Sequence, residues 1–195
     1  MQLPQVEMNV FETILARRSV RSFSEKEVAY KSIMALLAGA VRAPTARHAE
    51  QCAFVIIQDK ALLKSLSDLA KPILMERMGI GGSDLHTTHF PDSNLFYDAG
   101  TLIIICTKSA ETFAVADCWL AAENLMLAAC AMRLGTCVIG AALPAMNTPE
   151  IKPEIGIPDL YEAVVPIILG WPKENGNPSS RKAPHVLNMI PALAH

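Results

Sequence analysis

Charge is scarce in this sequence. Of its 195 residues only 18% are Asp, Glu, Lys or Arg, against about 25% in ordinary soluble domains. Apolar residues make up 51%, which excludes intrinsic disorder, a state that needs low hydrophobicity and high charge. Such a chain has more apolar surface than one small domain normally hides, and a large subunit interface is the usual remedy. A basic excess is also missing. Seventeen Lys and Arg against nineteen Asp and Glu give a net charge of −2, too little to hold a nucleic-acid backbone or an anionic membrane. No CxxC pair occurs among the five cysteines, Cys52, Cys106, Cys118, Cys130 and Cys137. They sit mostly in apolar runs, where a free thiol acts as a small hydrophobe, and a reducing, cytoplasmic compartment fits them better than secretion. The opening MQLPQVEMNV lacks the basic and apolar regions of a signal peptide. The longest apolar stretch, Cys118 to Met132, is interrupted by Glu123 and Asn124 and is short for a bilayer. No membrane association is expected.

The length fits one domain over residues 1–195, on a prior of about 150 residues per domain. The spacing predicts a short helix over Asn9–Arg17, with Val10, Phe11, Ile14 and Leu15 on one face. Ser24 and Glu27 read as a capping box opening a helix to about Arg42. Phe54–Gln58 reads as a strand and Lys60–Ala70 as an amphipathic helix that Ile73–Met78 can continue past Pro72. LIIICT at Leu102–Thr107 has no polar alternation and reads as a strand covered on both faces. Phe113–Leu134 is the longest helix and almost wholly apolar, hence a core or interface element. Thr136–Ile139 and Ala163–Leu169 are the remaining strands. The tail from about residue 171, rich in Pro, Asn and Ser, reads as an extended arm. The summed pattern is mixed α and β.

Most catalytic signatures are absent too. GIGG at 79–82 follows no strand and lacks the third glycine of a dinucleotide fingerprint, and no GxxxxGK[ST] or GxSxG occurs. His86 and His89 stand in a Gly- and Thr-rich loop, and no Cys or carboxylate pair completes a metal site with them. They read as solvated loop histidines. Arg17-Arg18-Ser19-Val20-Arg21 carries more information. Three guanidiniums within five residues, beside a hydroxyl, can grip a phosphate or carboxylate through forked, charge-assisted hydrogen bonds. A solvated basic turn is the plainer alternative for the same residues.

Four segments together resemble the nitroreductase family of flavoproteins. They are ARRSVRSF at 16–23, APTARH at 43–48, the apolar helix running into LGTCVIG at 134–140, and GWPKEN with SSRK at 170–182. Their order and spacing match, and the resemblance covers the chain from Phe11 to about Ile190. It implies an α+β sandwich with a central, mainly antiparallel sheet flanked by helices, in an intertwined homodimer with two FMN sites at the interface. It implies further that Arg17, Ser19 and Arg21 hold the phosphate and part of the ring of FMN, with Arg18 contributing mainly backbone. Pro44, Thr45, Ala46, Arg47 and His48 correspond to the segment that reaches the other subunit's flavin. Cys137, Val138, Ile139 and Gly140 correspond to the segment that lies along one flavin face and offers it backbone N–H groups. Arg181 matches the arginine that returns to the phosphate, and Lys182 is a weaker match.

The family's asparagine is His48 here, and its following Q-P-W reads Glu50-Gln51-Cys52. Losing the amide removes a combined donor and acceptor, and losing the tryptophan removes a large packing element. The phosphate grip is intact. No nucleophile, acid–base pair or metal cluster stands out elsewhere, as expected when a cofactor carries the hard step. The resemblance implies ping-pong transfer of electrons from NAD(P)H through FMN to a small electron-poor acceptor such as a nitroaromatic or quinone. Arg21 is the residue expected to support the reduced ring, and the Ile139–Gly140 segment the one expected near N5. Two other readings belong to different classes: a flavin-binding protein with little reductase activity, and a flavin-free interaction module of the same fold.

Overall fold

The computed structural model describes residues 8–46, 52–78, 94–108, 111–174 and 180–190. Its centre is the strand with no polar alternation. β2 (Thr101–Thr107) is buried at all seven positions, as expected for a strand covered on both faces. It pairs antiparallel with β1 (Ala53–Ile57) on one side and β4 (Glu162–Gly170) on the other. β3 (Gly135–Val138) completes the sheet beyond β4, giving the order β1-β2-β4-β3. Every pairing among these strands is antiparallel. The expected α+β sandwich is borne out.

Alternate residues of β2 feed two cores. Leu102, Ile104 and Cys106 pack with Ile57, Leu66, Phe96 and Ile168 on one face. Ile103 and Ile105 pack with Leu36, Leu125, Val165 and Ile167 on the other. The period of two along a pleated strand produces this division directly.

The second face is covered by α2 (Tyr30–Ala40) and α4 (Thr112–Ala131). α2 packs on α4 at Gly39, where a Cβ would stand 3.7 Å from the Ala128 methyl, an ordinary van der Waals contact. The Asn124 amide donates to the Gly39 carbonyl across the same contact at 3.3 Å. α4 is long and apolar enough to cross a membrane, yet Cys118, Ala122, Leu125 and Ala129 are fully buried within the second core. It ends where Arg133 turns left-handed at φ 59° and Leu134 N–H reaches back to the Ala129 carbonyl at 2.8 Å. α1 (Val10–Ala16) is opened by a reciprocal cap between Asn9 and Glu12. Its sequence-predicted apolar stripe points outward: Phe11 is 75% and Leu15 73% exposed.

The other face carries α3 (Lys60–Met78), α5 (Leu143–Met146) and α6 (Ile151–Glu154). α3 runs unbroken through Pro72. Asp59 opens it by accepting from the N–H groups of Ala61 and Leu62. The two short helices were not foreseen, because four-residue turns leave no periodicity to read. Asn147 ties them to β4 with two hydrogen bonds to the backbone of Ala163.

The capping box expected at Ser24 and Glu27 does not form. α2 begins at Tyr30, after Ala29, with no side-chain cap. Residues 22–27 instead pair with the chain leaving β4. Ser24 N–H donates to the Trp171 carbonyl at 2.8 Å and Lys173 N–H to the Ser22 carbonyl at 3.1 Å. The Trp171 indole N–H donates to Glu27 O at 3.3 Å, and the Lys26 ammonium sits 3.8 Å over the same ring. Long-range pairing thus overrides a local signal.

Candidate functional site

The arginine loop gets its place from the sheet. β3 is an edge strand, and its free edge is taken by the segment after α1. Ser19 bridges Thr136 in parallel, and Val20 N–H donates to the Thr136 carbonyl at 2.9 Å. The fit requires a glycine in β3, since a Cβ on Gly135 would lie 2.8 Å from the Val20 side chain. Val20 is buried in the core, while Ser19 and Arg21 are exposed. One buried residue therefore pins a loop that keeps Ser19 and Arg21 exposed.

Arg17 and Arg18 line a cavity of about 180 Å³ with Met8, Cys130, Arg133 and Thr136. The Arg17 guanidinium stands 3.5 Å from the Glu123 carboxylate on α4. Arg18 donates to the Glu174 carbonyl at 2.8 Å, so its side chain ties the loop to the chain beyond β4. Arg21 faces Tyr97, its guanidinium carbon 6.0 Å from the ring centre. Tyr97 and Asp98 both have φ of 53°, an uncommon backbone for residues with side chains. Cys130, beside Arg17, has its thiol pushed up by burial, opposed by the arginine charge.

The segment after β3 turns away from the sheet beside this loop. Cys137 is buried in the first core, with its Sγ 3.5 Å from the Val138 carbonyl. Ile139 is buried as well, and its N–H is used by the Pro166 carbonyl at 2.9 Å. A 3-10 turn over Gly140–Ala142 follows. The opening N–H groups of such a turn have no partner within it. Gly140 is exposed, with nothing within 4 Å of its Cβ position. The donors that this segment can present are thus those of Gly140 and Ala141.

Pro44, Thr45 and Ala46 lie elsewhere on the chain. They follow α2, and the Ala46 N–H sits 3.1 Å from both carboxylate oxygens of Asp117 on α4. Asp117 is only 4% exposed, and its neighbours in the sequence are Ala116 and Cys118. A carboxylate buried in so apolar a helix was the signal that reading the sequence passed over. Asp117 lies six residues before Glu123 on α4, which is about 9 Å along the axis. Thr45 and Asp117 line a different cavity from Arg17 and Arg18. Arg47 and His48 lie outside the described residues, as do His86 and His89. Arg181 is exposed on the arm, and among the described residues no hydrogen bond or ion pair joins it to the arginine loop.

The arrangement can bind an anion and present backbone donors beside it, which suits a phosphorylated planar cofactor better than a hydrolytic reaction. Known proteins agree. The Nitroreductase family model matches residues 14–171. An Archaeoglobus fulgidus protein, provisionally named NADH dehydrogenase/NAD(P)H nitroreductase, is 24% identical over 83% of this chain and 84% of its own. FMN reductase (NADPH) of Bacillus subtilis is 31% identical over 68% of this chain and 54% of its own. The crystal structure of a Bacteroides fragilis nitroreductase with bound FMN superposes with a TM-score of 0.80 at 25% identity, covering 94% of this chain and 98% of that one. Its sheet, its arginine loop on the β3 edge and these matches make this chain a member of the nitroreductase family.

Proposed function

We propose that this protein is a cytoplasmic, FMN-dependent oxidoreductase that carries electrons from NAD(P)H to small electron-poor acceptors, nitroaromatics or quinones among them. The observation that carries this reading is the pairing of Ser19 and Val20 with Thr136. It seats the arginine loop along β3, the strand that leads into the Gly140 turn. The residues present fit FMN by the chemistry of that donor set: cations and a hydroxyl for a phosphate, and backbone N–H groups for a ring. The open space at Gly140 leaves room for a ring to approach.

FMN, when bound, supplies reversible hydride acceptance. The chain's own residues do the rest. Arg17 exchanges its Glu123 partner, at 3.5 Å, for the phosphate, with Ser19 donating alongside. Arg181 reaches the same phosphate from the arm. Arg21 places a permanent positive charge where the ring gains electrons. Gly140 and Ala141 donate toward the ring, and Ile139 serves only to hold that turn against β4. The parent and its donor are told apart from a mere flavin carrier by absorbance. Purified protein should show flavin bands that bleach on adding NAD(P)H, and a colourless protein would overturn the assignment. Initial rates with NAD(P)H and a quinone should give parallel double-reciprocal lines, since one open face serves both substrates in turn.

The working form is a homodimer. Three helices and the arm carry apolar side chains outward: Phe11 and Leu15 on α1, Tyr30 on α2, Phe113 and Trp119 on α4, Leu187 and Ile190 on the arm. Large apolar side chains left exposed in this number favour an interface. Pro44, Thr45, Ala46, Arg47 and His48 then complete the partner's flavin site, and Thr45 lines a cavity separate from that of Arg17 and Arg18. Sedimentation showing a folded, FMN-loaded monomer at micromolar concentration would refute this arrangement.

A further inference from the structure

Two thiols meet where β1 begins. Cys52 Sγ and Cys118 Sγ are 3.6 Å apart, which is van der Waals contact for sulfur. A disulfide needs about 2.05 Å between the sulfurs, so closure is a shift of about 1.5 Å at two side chains. Cys52 precedes β1 and is part-exposed, whereas Cys118 is fully buried in α4. Cys52 opens onto a cavity of about 440 Å³ lined also by Val41, Arg42, Thr45, Asp117 and Ala121. Arg42 is exposed at its wall and offers a cation to an anionic leaving group. One thiol thus faces a polar, solvent-connected chamber, and the other waits behind it.

We propose that Cys52 and Cys118 form a two-thiol oxidation site, which small hydroperoxides entering the adjoining cavity convert to a disulfide linking the start of β1 to α4. The Cys52 thiolate attacks the peroxide. A sulfur–oxygen bond forms, the oxygen–oxygen bond breaks, and the alkoxide leaves with a proton as alcohol or water. Cys118 then attacks the sulfenic sulfur of Cys52. The sulfur–sulfur bond forms, the sulfur–oxygen bond breaks, and hydroxide leaves with the Cys118 proton as water. Two thiols are oxidised by two electrons and one peroxide is reduced.

Exposure assigns the order of attack, since Cys52 is part-exposed and Cys118 is fully buried. The hydrogen bond between the two sulfurs holds the Cys52 thiol below its ordinary range, against opposing effects of burial and Asp117. The same bond and burial push Cys118 up. Burial pushes Cys106 up to about 12 and also raises Cys130. The Cys118 S–H points to the Cys106 carbonyl, with Sγ 3.8 Å from that oxygen, which orients the thiol. This site stands whether or not the flavin reading holds.

The test is peptide mapping of the purified full-length protein, with whatever flavin it carries, after one equivalent of hydrogen peroxide. The expected product joins the Cys52 and Cys118 peptides, is reversed by dithiothreitol and costs two titratable thiols. Cys52→Ser should abolish the link and slow thiol loss about tenfold or more, while Cys106→Ser should leave both intact. Cys52 is part-exposed, so its serine variant tests the idea even if a Cys118 variant fails to fold. Oxidation falling first on Cys130 or Cys137, or Cys52 passing to sulfinic acid with no joined peptide, would overturn the proposal.

Discussion

The arginine loop and the Pro44–Ala46 segment are held in opposite ways. The loop is zipped by backbone onto β3, with Val20 N–H on Thr136 O at 2.9 Å, and its arginines match the family pattern in full. The other segment hangs on one side chain, the Asp117 carboxylate, at 3.1 Å from Ala46 N–H. It then runs directly into the His48–Cys52 stretch, where the family pattern is lost. Backbone pairing constrains position while leaving side chains free to bind. A single carboxylate constrains one point. The phosphate end of the proposed site is accordingly built on the sheet, and the end offered to the partner is the part open to variation.

The largest effect is expected where the loop meets β3. Gly135→Val puts carbon where the Val20 side chain already stands 2.8 Å away, and overpacking of this kind costs about 1–3 kcal/mol. The variant should melt several degrees lower and lose FMN on purification. Flavin content and thermal unfolding measure both, and full FMN retention would separate the loop's seat from the site.

Arg17→Glu and Arg21→Glu come next. Each removes a charge-assisted hydrogen bond of about 1.5–3 kcal/mol and adds repulsion, so FMN affinity should fall about tenfold or more. Fluorescence titration of the flavin-free protein reads this, and unchanged binding in both variants would relocate the phosphate. A smaller effect is expected from Asp117→Ala, which leaves Ala46 N–H unpaired at about 1–3 kcal/mol, while Asp117→Asn keeps one acceptor oxygen and most of the stability. If the two regions act independently, the double variant Arg21→Glu/Asp117→Ala should show additive losses within about 0.5 kcal/mol. A larger coupling would collapse the distinction between them.

The finest test concerns His48. An unperturbed histidine titrates near ~6.5. His48→Asn should keep FMN bound while flattening the pH dependence of the flavin midpoint potential between about 5.5 and 7.5. Superimposable titrations of parent and variant would make His48 a bystander.

Local chemistry made much of this protein legible from sequence alone. An uninterrupted LIIICT can only be a strand covered on both sides, and β2 is buried throughout. The helix expected to end at about Arg42 does run to Ala40, and the arginine loop announces an anion through residue type. What sequence could not show is where non-local partners take over. The Ser24–Glu27 box yields to pairing with Trp171 and Lys173, because the Ser24 N–H that the box would satisfy locally goes to the Trp171 carbonyl instead. The spacing in α1 puts its apolar residues on one face, yet only the packed fold reveals that Phe11 and Leu15 point outward. Periodicity tells which residues share a face, never what that face meets. Asp117 beside Ala46, and Cys52 against Cys118, join residues 71 and 66 positions apart. Such contacts are settled by the order of strands and the seating of α4, which no local pattern encodes.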